Sequence, residues 1–221
     1  MKLVVTEKND AAQKIADLLG AKKPKADKVY STPVYRFEVD GEKRVTIGLR
    51  GHILEPDFTP AMVYKKRGGW QGVTEEGETY PAELPDVLPK PPFKKKKPFT
   101  EDGVELKSWK MDALPYLVYA PIKKLPKEKE IIRSLKNLAK KADSVVIATD
   151  FDREGELIGS DALSCIREVN PKAPVSRARY SAFTKEEIAH AFGNLVAVDD
   201  NLASAGASRQ DIDLIWGAVL T

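Results

Sequence analysis

Three acidic residues fall within five positions of the segment ATDFDREGE, residues 148–156. Asp150 follows the apolar run SVVIAT, which predicts a buried strand over residues 144–149. Asp152 and Glu154 come next, where the pattern changes to that of a helix. Carboxylates this close together raise one another's pKa unless a cation joins them. Oxygen ligands with open coordination positions suit magnesium. The spacing therefore predicts a Mg²⁺ site at the carboxyl end of a strand, formed by Asp150, Asp152 and Glu154.

Helix capping is the alternative role for these acids. Asp152 is a suitable N-cap, and acids in the first turn of a helix complement its dipole. A second acid at a strand end favours the metal site instead. Residues 2–6 (KLVVT) predict another buried strand, and Glu7 follows it directly. If the two strands are neighbours in a parallel sheet, Glu7 faces Asp150 and Asp152.

The elements that must position these acids alternate between strand and helix patterns. Asn9 is expected to cap a first helix that stops at Gly20. The other predicted elements are a hairpin of strands 34–39 and 45–49 around Asp40-Gly41, an amphipathic helix over 127–142, a helix over 155–168 and a strand over 175–182. This alternation is typical of an α/β domain.

The pattern after residue 183 is helical only. Thr184 and Glu187 match a capping box, and a second helix is predicted from about Asp199 to the end. We therefore expect an α/β domain over residues 1–182 and the start of a truncated helical domain over residues 183–221. Within the first domain, a proline-rich stretch at about 56–108, with Gly68-Gly69 and the run Lys94–Lys97, predicts an insertion with little regular structure. The stop within or just after a helix suggests a longer parent protein.

Composition narrows the class of protein. Apolar residues make up 42% and charged residues 31%, an ordinary balance for a globular protein, and the net charge of +3 favours a polyanionic partner only mildly. A single cysteine, Cys165, excludes an internal disulfide, and two histidines, His52 and His190, argue against a structural zinc site. No apolar run approaches the roughly 18 residues that span a bilayer, and the start does not match a signal peptide. We expect a cytoplasmic protein.

Glu7 after the first strand, followed by the later Asp150, Asp152 and Glu154 motif, resembles the Toprim domain. That domain is shared by type IA and type II topoisomerases, bacterial-type primases and some nucleases. Further segments resemble archaeal and topoisomerase III-like type IA enzymes, in the same order along the chain. They are TEKNDAAQKIADLL at 6–19, LRGHILE at 49–55, TDFDREGELI at 149–158, SAFTKEEIAHAF at 181–192 and ASRQDIDLIWG at 207–217. The resemblance implies an α/β, Rossmann-like Toprim fold with a mainly parallel sheet, followed by part of a helical domain.

The resemblance also implies roles for individual residues. In this family a tyrosine attacks a phosphodiester and opens one DNA strand, without ATP. None of the tyrosines here stands in the family's tyrosine motif, so the chain is expected to carry the acidic, metal-binding half of the site and to be inactive alone. Glu7 is implied to help protonate the leaving 3′ oxygen, which requires a raised pKa, while Lys8 and Arg153 offset charge on the phosphate. Asp150 and Asp152 are implied to hold Mg²⁺, with Glu154 as outer partner or third ligand, and DNA contacts are implied for His52, Arg209 and Asp213.

The expected partner is single-stranded or negatively supercoiled DNA, bound by a monomer. Two other functions stay open at this point. A free-standing Toprim nuclease or primase-like enzyme would use metal-activated water or a nucleotide and would need no tyrosine. A non-catalytic nucleic-acid-binding module would not depend on Glu7 or Asp152.

Overall fold

The computed structural model describes residues 1–58, 61–66, 69–74, 79–82, 103–105, 114 and 122–220. The strands are β1 (Lys2–Thr6), β2 (Lys25–Val29), β3 (Thr32–Val39), β4 (Glu42–Gly48), β5 (Leu54–Phe58), β6 (Ala61–Lys66), β7 (Gly69–Thr74), β8 (Thr79–Ala82), β9 (Gly103–Glu105), β10 (Ile122–Pro126), β11 (Ser144–Ile147) and β12 (Val175–Arg177). The helices are α1 (Asn9–Leu19), α2 (Lys129–Ala139), α3 (Arg153–Arg167), α4 (Lys185–Gly193) and α5 (Asp200–Leu220). The chain divides into two compact units, one of residues 1–55 and 126–208 and one of residues 56–125 and 209–221.

The first unit is built on a six-stranded sheet with the strand order β12-β11-β1-β4-β3-β2. β1 pairs in parallel with β11 on one side and with β4 on the other, and β12 continues the parallel part. Val5 is aligned with Ile147, so β1 and β11 end level with each other. Acids that follow these two strands therefore emerge at one edge of the sheet. This confirms the predicted α/β class with a mainly parallel sheet.

Helices cover both faces of this sheet, which explains the continuous apolar runs of its central strands. Leu3 and Val145 face a core completed by α2 and α3. Val4 and Val146 point to the opposite face and pack with residues of α1 and α4. Alternate residues of each strand are thus buried on opposite sides, and the sheet forms the middle layer.

The N-terminus of α1 differs from the prediction. Lys8, with an extended backbone, takes the N-cap position without a side-chain cap, and Asn9 is the first helical residue. The Asn9 amide donates instead to the Tyr35 hydroxyl at 3.1 Å. The predicted Asn9 cap is wrong because its side chain is engaged by β3. Gly20 does end the helix, donating its backbone N–H to the Ala16 carbonyl.

The C-terminal part of the first unit follows the predicted pattern with two differences. Thr184 Oγ1 accepts from the Glu187 N–H at 3.2 Å, but the Glu187 carboxylate accepts from the N–H and hydroxyl of Ser181, so only half of the capping box forms. Ile188 of α4 is fully buried in the core beside α1. α4 therefore belongs to the first compact unit, and the start of a separate helical domain at residue 183 stays a prediction.

The expectation of little regular structure at about 56–108 is wrong for the residues described there. Strands β6 to β9 form an antiparallel sheet in the order β8-β7-β6-β9. Its pairing aligns Val63 with Gly72 and Gln71 with Pro81. Backbone hydrogen bonding between adjacent strands stabilises such a sheet even where glycines and prolines weaken the local strand pattern. The run Lys94–Lys97 lies outside the described residues.

Candidate functional site

Glu7 is held at the carboxyl end of β1 by the loop that follows β4. Its carbonyl accepts a hydrogen bond from the Gly51 N–H at 3.0 Å, and the Thr6 carbonyl accepts from the Leu49 N–H at 3.1 Å. The turn after Glu7 also packs closely on Gly48, where an added Cβ would lie 2.4 Å from the backbone nitrogen of Asn9. Only glycine fits there. The Glu7 side chain is left 15% exposed, at the edge where the parallel strands end.

The turn that carries Asp150 and Asp152 is equally tight. Asp152 Oδ1 accepts from the Gly155 N–H at 2.7 Å and so caps α3. The Thr149 hydroxyl donates to the Gly155 carbonyl at 2.7 Å. A Cβ on Gly155 would lie 2.0 Å from the Asp150 carbonyl oxygen, so the turn requires glycine. The capping role of Asp152 is therefore real, but it uses one carboxylate oxygen and leaves the second for another ligand.

Lys8 forms an ion pair with Glu7 at the edge of the sheet where the acids emerge. Its ammonium is 3.1 Å from Glu7 Oε1. The hydrogen bond to Glu7 and the charge of that carboxylate raise the pKa of Lys8, and the charges of Asp150 and Asp152 act in the same direction. The fold thus brings Glu7 and Lys8, which follow β1, to the same edge of the sheet as Asp150 and Asp152, which follow β11.

Glu154, which was predicted as an outer partner or third ligand of the metal, is paired with a histidine in the structure. His52 Nε2 lies 3.0 Å from Glu154 Oε2, across 102 positions of sequence. Two left-handed residues, Arg50 and Gly51, turn the chain after β4 so that His52 reaches α3. The structure therefore places His52 against the acidic motif.

The donor chemistry of the site fits magnesium with two protein ligands. Within the described residues, no three His, Cys, Asp or Glu side chains lie close enough together to form a ready metal site. Asp150 and Asp152 are nevertheless both exposed at the strand end. Mg²⁺ is commonly held by one or two carboxylates, with water and substrate phosphate completing its octahedron. Asp150 and Asp152 offer two such carboxylates, and ligation by these two residues or by Glu154 stays a prediction.

The sequence patterns did not predict a buried ion pair that contacts the backbone of the acidic turn. Arg177 Nε donates to Glu156 Oε1 at 2.8 Å, and both side chains are fully buried. Arg177 also donates to the carbonyls of Ala178 at 2.6 Å and of Asp150 at 2.9 Å. The guanidinium thus holds the backbone at Asp150. The signal in the sequence is an arginine at the end of β12, between Ser176 and Ala178.

Tyr180 also lies next to the acids, but it is poorly suited to act as a nucleophile. Its hydroxyl donates to the Ala148 carbonyl at 2.7 Å. Burial raises the pKa of Tyr180 well above its usual range, and the negative charge of Asp150 adds to this effect. The phenol is therefore held neutral within the core.

A cavity of about 560 Å³ opens beside the acidic turn, and we call it the site cavity. Its lining residues include Asp150, Asp152, Phe151, Arg179, Phe183 and Glu187. The sequence reading assigned no role to either phenylalanine or to Arg179. The site therefore combines carboxylates with aromatic rings and a cation.

The other predicted residues are Arg153, Arg209 and Asp213. Arg153 is exposed in the first turn of α3. In the second unit, Arg209 Nε lies 3.8 Å from Asp213 Oδ2, which forms the i,i+4 pair that the spacing predicted. Both side chains of this pair are exposed, and their DNA contacts stay predictions. No helix among the described residues is long and apolar enough to cross a membrane.

Comparison with known proteins agrees with this architecture. The family model "Toprim domain" matches residues 2–183. DNA topoisomerase 1 from Archaeoglobus fulgidus is 39% identical over 99% of this chain and 26% of that protein. DNA topoisomerase 1 from Thermoplasma acidophilum is 34% identical over 100% of this chain and 23% of that protein. Human DNA topoisomerase 3-alpha is 30% identical over 99% of this chain and 18% of that protein. The chain thus spans about a quarter or less of the length of these relatives.

Proposed function

This chain belongs to the Toprim family, as its motifs predicted, and we propose that it is the acidic, metal-binding part of a type IA DNA topoisomerase. One observation carries the proposal. Acids from two neighbouring parallel strands, Glu7 after β1 and Asp150 and Asp152 after β11, emerge at the same edge of the sheet, where the Lys8 ammonium lies 3.1 Å from Glu7. A site that binds a phosphodiester through a divalent cation and cleaves it needs such a group of carboxylates beside a fixed positive charge.

The side chains divide the work according to their positions. Asp150 and Asp152 hold Mg²⁺, which when bound supplies positive charge to the phosphate oxygens. Glu7 lies beside the scissile phosphate and, in its protonated form, delivers its proton to the leaving 3′ oxygen, which leaves the carboxylate that pairs with Lys8. The Lys8 ammonium, 3.1 Å from Glu7, offsets the negative charge of the phosphate and keeps the glutamate in place. Arg153 adds a second cation from the exposed first turn of α3.

Glu154 and His52 act together in this proposal. Because Glu154 is engaged by His52 at 3.0 Å, we assign it as an outer partner of the metal site rather than a third ligand. His52 fixes the orientation of that carboxylate and contacts the DNA backbone. Arg209 and Asp213 are proposed to position another phosphate, with Asp213 orienting the guanidinium through their i,i+4 pairing.

The nucleophile of the reaction is proposed to come from another part of the parent protein. Tyr180 is excluded from that role in our proposal because its hydroxyl is buried and donates to Ala148. The partner is proposed to be single-stranded DNA or negatively supercoiled DNA, bound by a monomer in the cytoplasm. The chain then provides the electrostatic half of the cleavage site.

A titration with Mn²⁺, in which electron paramagnetic resonance measures the free metal ion, tests the metal site directly. Asp150→Asn and Asp152→Asn are each expected to weaken Mn²⁺ binding. Asp40→Asn is a matched control, because Asp40 is an exposed carboxylate in a left-handed turn that asparagine tolerates. Equal Mn²⁺ affinity for Asp152→Asn and Asp40→Asn would contradict the proposal.

Incubation with supercoiled plasmid and Mg²⁺ separates the proposed function from its competitors. We expect the chain to bind DNA in a salt-sensitive manner but neither to relax nor to nick it. Nicking that is lost in Asp150→Asn would identify a metal-dependent nuclease instead. DNA affinity that is unchanged by Glu7→Gln and Asp152→Asn, and by removal of metal, would indicate a non-catalytic binding module.

A further inference from the structure

Two phenylalanine rings are exposed in the site cavity next to the acids. Phe151 is 50% exposed and Phe183 is 38% exposed. Phe151 stands between Asp150 and Asp152 in the sequence, and Phe183 follows the end of the sheet. Large aromatic side chains are normally buried on folding, and a cavity with two exposed rings on its wall is typical of a ligand site.

Each ring is held by a neighbouring cation. The Arg179 guanidinium lies 4.4 Å from the centroid of the Phe151 ring, and Arg179 also pairs with Asp199 at 3.5 Å. Lys14 Nζ lies 5.4 Å from the Phe183 centroid. The Tyr180 ring packs against Phe183 at 5.2 Å. Cation–π and aromatic contacts of this kind fix the rings before any ligand arrives, so less ordering is needed on binding.

We propose that the site cavity binds one nucleobase of single-stranded DNA by stacking on Phe151, with Phe183 as a second wall. This inference rests on the proposed function, because the phosphate of the same nucleotide would lie at Asp150 and Asp152. Phe151 lines the same cavity as both aspartates, so a base on its ring and a phosphate at the acids can belong to one nucleotide.

The chemistry of the wall favours a nucleobase over an apolar ligand. A base offers a flat π face for the phenylalanine rings and polar edges for charged neighbours. The wall has both kinds of group, since Arg179, Asp152 and Glu187 line the same cavity as the two rings. Its volume of about 560 Å³ lies within the range of about 300–1,000 Å³ that is usual for small-molecule sites. Stacking is tolerant of sequence, so we expect no strong preference among the bases.

The test compares two fluorescein-labelled strands of equal length, an oligothymidylate and an abasic oligonucleotide, by anisotropy in the presence of Mg²⁺, so that Asp150 and Asp152 have their cation. Both strands have the same phosphates, so the difference between them measures the contribution of the bases. The 221-residue chain should bind the oligothymidylate about tenfold more tightly. Phe151→Leu should lower that affinity to the abasic value, Phe183→Leu should lower it in part, and Phe151→Trp should preserve it.

Tyr30 supplies a matched control. It is 48% exposed, and the Arg133 guanidinium lies 4.0 Å from its ring, yet it lines a different cavity. Tyr30→Leu should leave the preference for bases unchanged, and thermal melting checks that every variant is folded. The inference is overturned if the wild-type chain binds both strands equally, or if Tyr30→Leu loses the preference as Phe151→Leu does. A different result would contradict the proposed function. In that case the affinity for both strands would not depend on salt concentration, and Mn²⁺ binding would not depend on Asp152.

Discussion

Arg177 and Glu156 form an ion pair with a nitrogen–oxygen distance of 2.8 Å, and neither side chain is exposed to solvent. Glu156 lies in the first turn of α3 and Arg177 ends β12. The same guanidinium donates to the carbonyl of Asp150 at 2.9 Å. One buried cation therefore connects the helix, the edge strand and the turn that carries Asp150, the proposed metal ligand.

Removing the charge of Glu156 should destabilise the fold strongly. Glu156→Gln leaves the Arg177 guanidinium buried without its counter-ion, and such a loss costs about 3–5 kcal/mol. Urea unfolding followed by circular dichroism measures the change. A free-energy loss under about 1 kcal/mol, the size usual for exposed pairs, would contradict this assignment.

The exposed pair Lys136–Glu168 is the matched control for that measurement. Its nitrogen–oxygen distance is 2.6 Å, but Glu168 is largely exposed. Solvent screens such pairs, so Lys136→Met should change the free energy of unfolding by about 0–1 kcal/mol. A similar loss for both pairs would mean that burial is not what makes the Glu156 pair important.

Gly155→Ala should disturb the acidic turn. The new Cβ would lie 2.0 Å from the Asp150 carbonyl oxygen, so the turn must shift. We expect a loss of about 1–3 kcal/mol in stability together with weaker Mn²⁺ binding. Gly193→Ala is the control, because nothing lies within 4 Å of its added Cβ. That change should be neutral or stabilise α4 by about 0.4–1 kcal/mol.

Glu154→Gln should weaken metal binding less than Asp150→Asn. Glu154 is engaged by His52 at 3.0 Å and is proposed to act from outside the metal's own ligands. Outer partners of this kind typically contribute about 10- to 100-fold to metal affinity. Isothermal titration with Mn²⁺ compares the variants, with His52→Ala expected to resemble Glu154→Gln. A larger loss for Glu154→Gln than for Asp150→Asn would show that Glu154 is a direct ligand.

The interaction of Glu187 with Ser181 should make stability depend on pH. Hydrogen bonds from the Ser181 N–H and hydroxyl lower the pKa of Glu187 below its ordinary value of 4.5. Because the pKa of Glu187 is lower in the folded state than in the unfolded state, its carboxylate stabilises the fold at pH values above the unfolded-state pKa. This stabilisation is lost as the pH falls through the folded-state pKa. The difference in Tm between wild type and Glu187→Gln should therefore be largest near pH 7 and shrink on acidification below about 4.5. A constant difference would contradict the assignment.

The thiol of Cys165 should be unreactive in the folded protein. Cys165 lies on α3 and is only 2% exposed, and this burial raises the pKa of its thiol. Because the thiolate is the reactive form, labelling with a disulfide reagent at neutral pH should be slow in buffer and fast in urea. Rapid labelling of the native chain would show that α3 opens readily.

Local patterns identified the elements that carry the site. The apolar runs at residues 2–6 and 144–149 predicted two buried strands, and the acids that follow them predicted where ligands would lie. Asp152 was assigned two competing roles, and the structure confirms the cap while the metal role remains to be tested. The helix after the acids and the hairpin at Asp40-Gly41 were also predicted, because their signals lie within a few residues of each other.

The sequence patterns did not predict contacts between residues that are far apart in the sequence. The pair His52–Glu154 joins residues 102 positions apart, and Arg177–Glu156 joins residues 21 apart. Spacing rules describe neighbours on one helix or strand, so they contain no information about such partners. The strands β6 to β9 were missed for a related reason, since their pairing depends on backbone hydrogen bonds between segments rather than on an apolar pattern within each.

The order of residue types along the chain was sufficient to determine the class of fold, the family and the acids that could bind a metal, because these follow from local periodicity and short motifs. Tertiary structure alone decided that β1 and β11 are neighbours, that His52 pairs with Glu154, and that an aromatic cavity opens at Phe151. The physical reason is that strand order and packing bring together side chains whose separation in sequence is arbitrary, and only their separation in space determines charge, burial and hydrogen bonding.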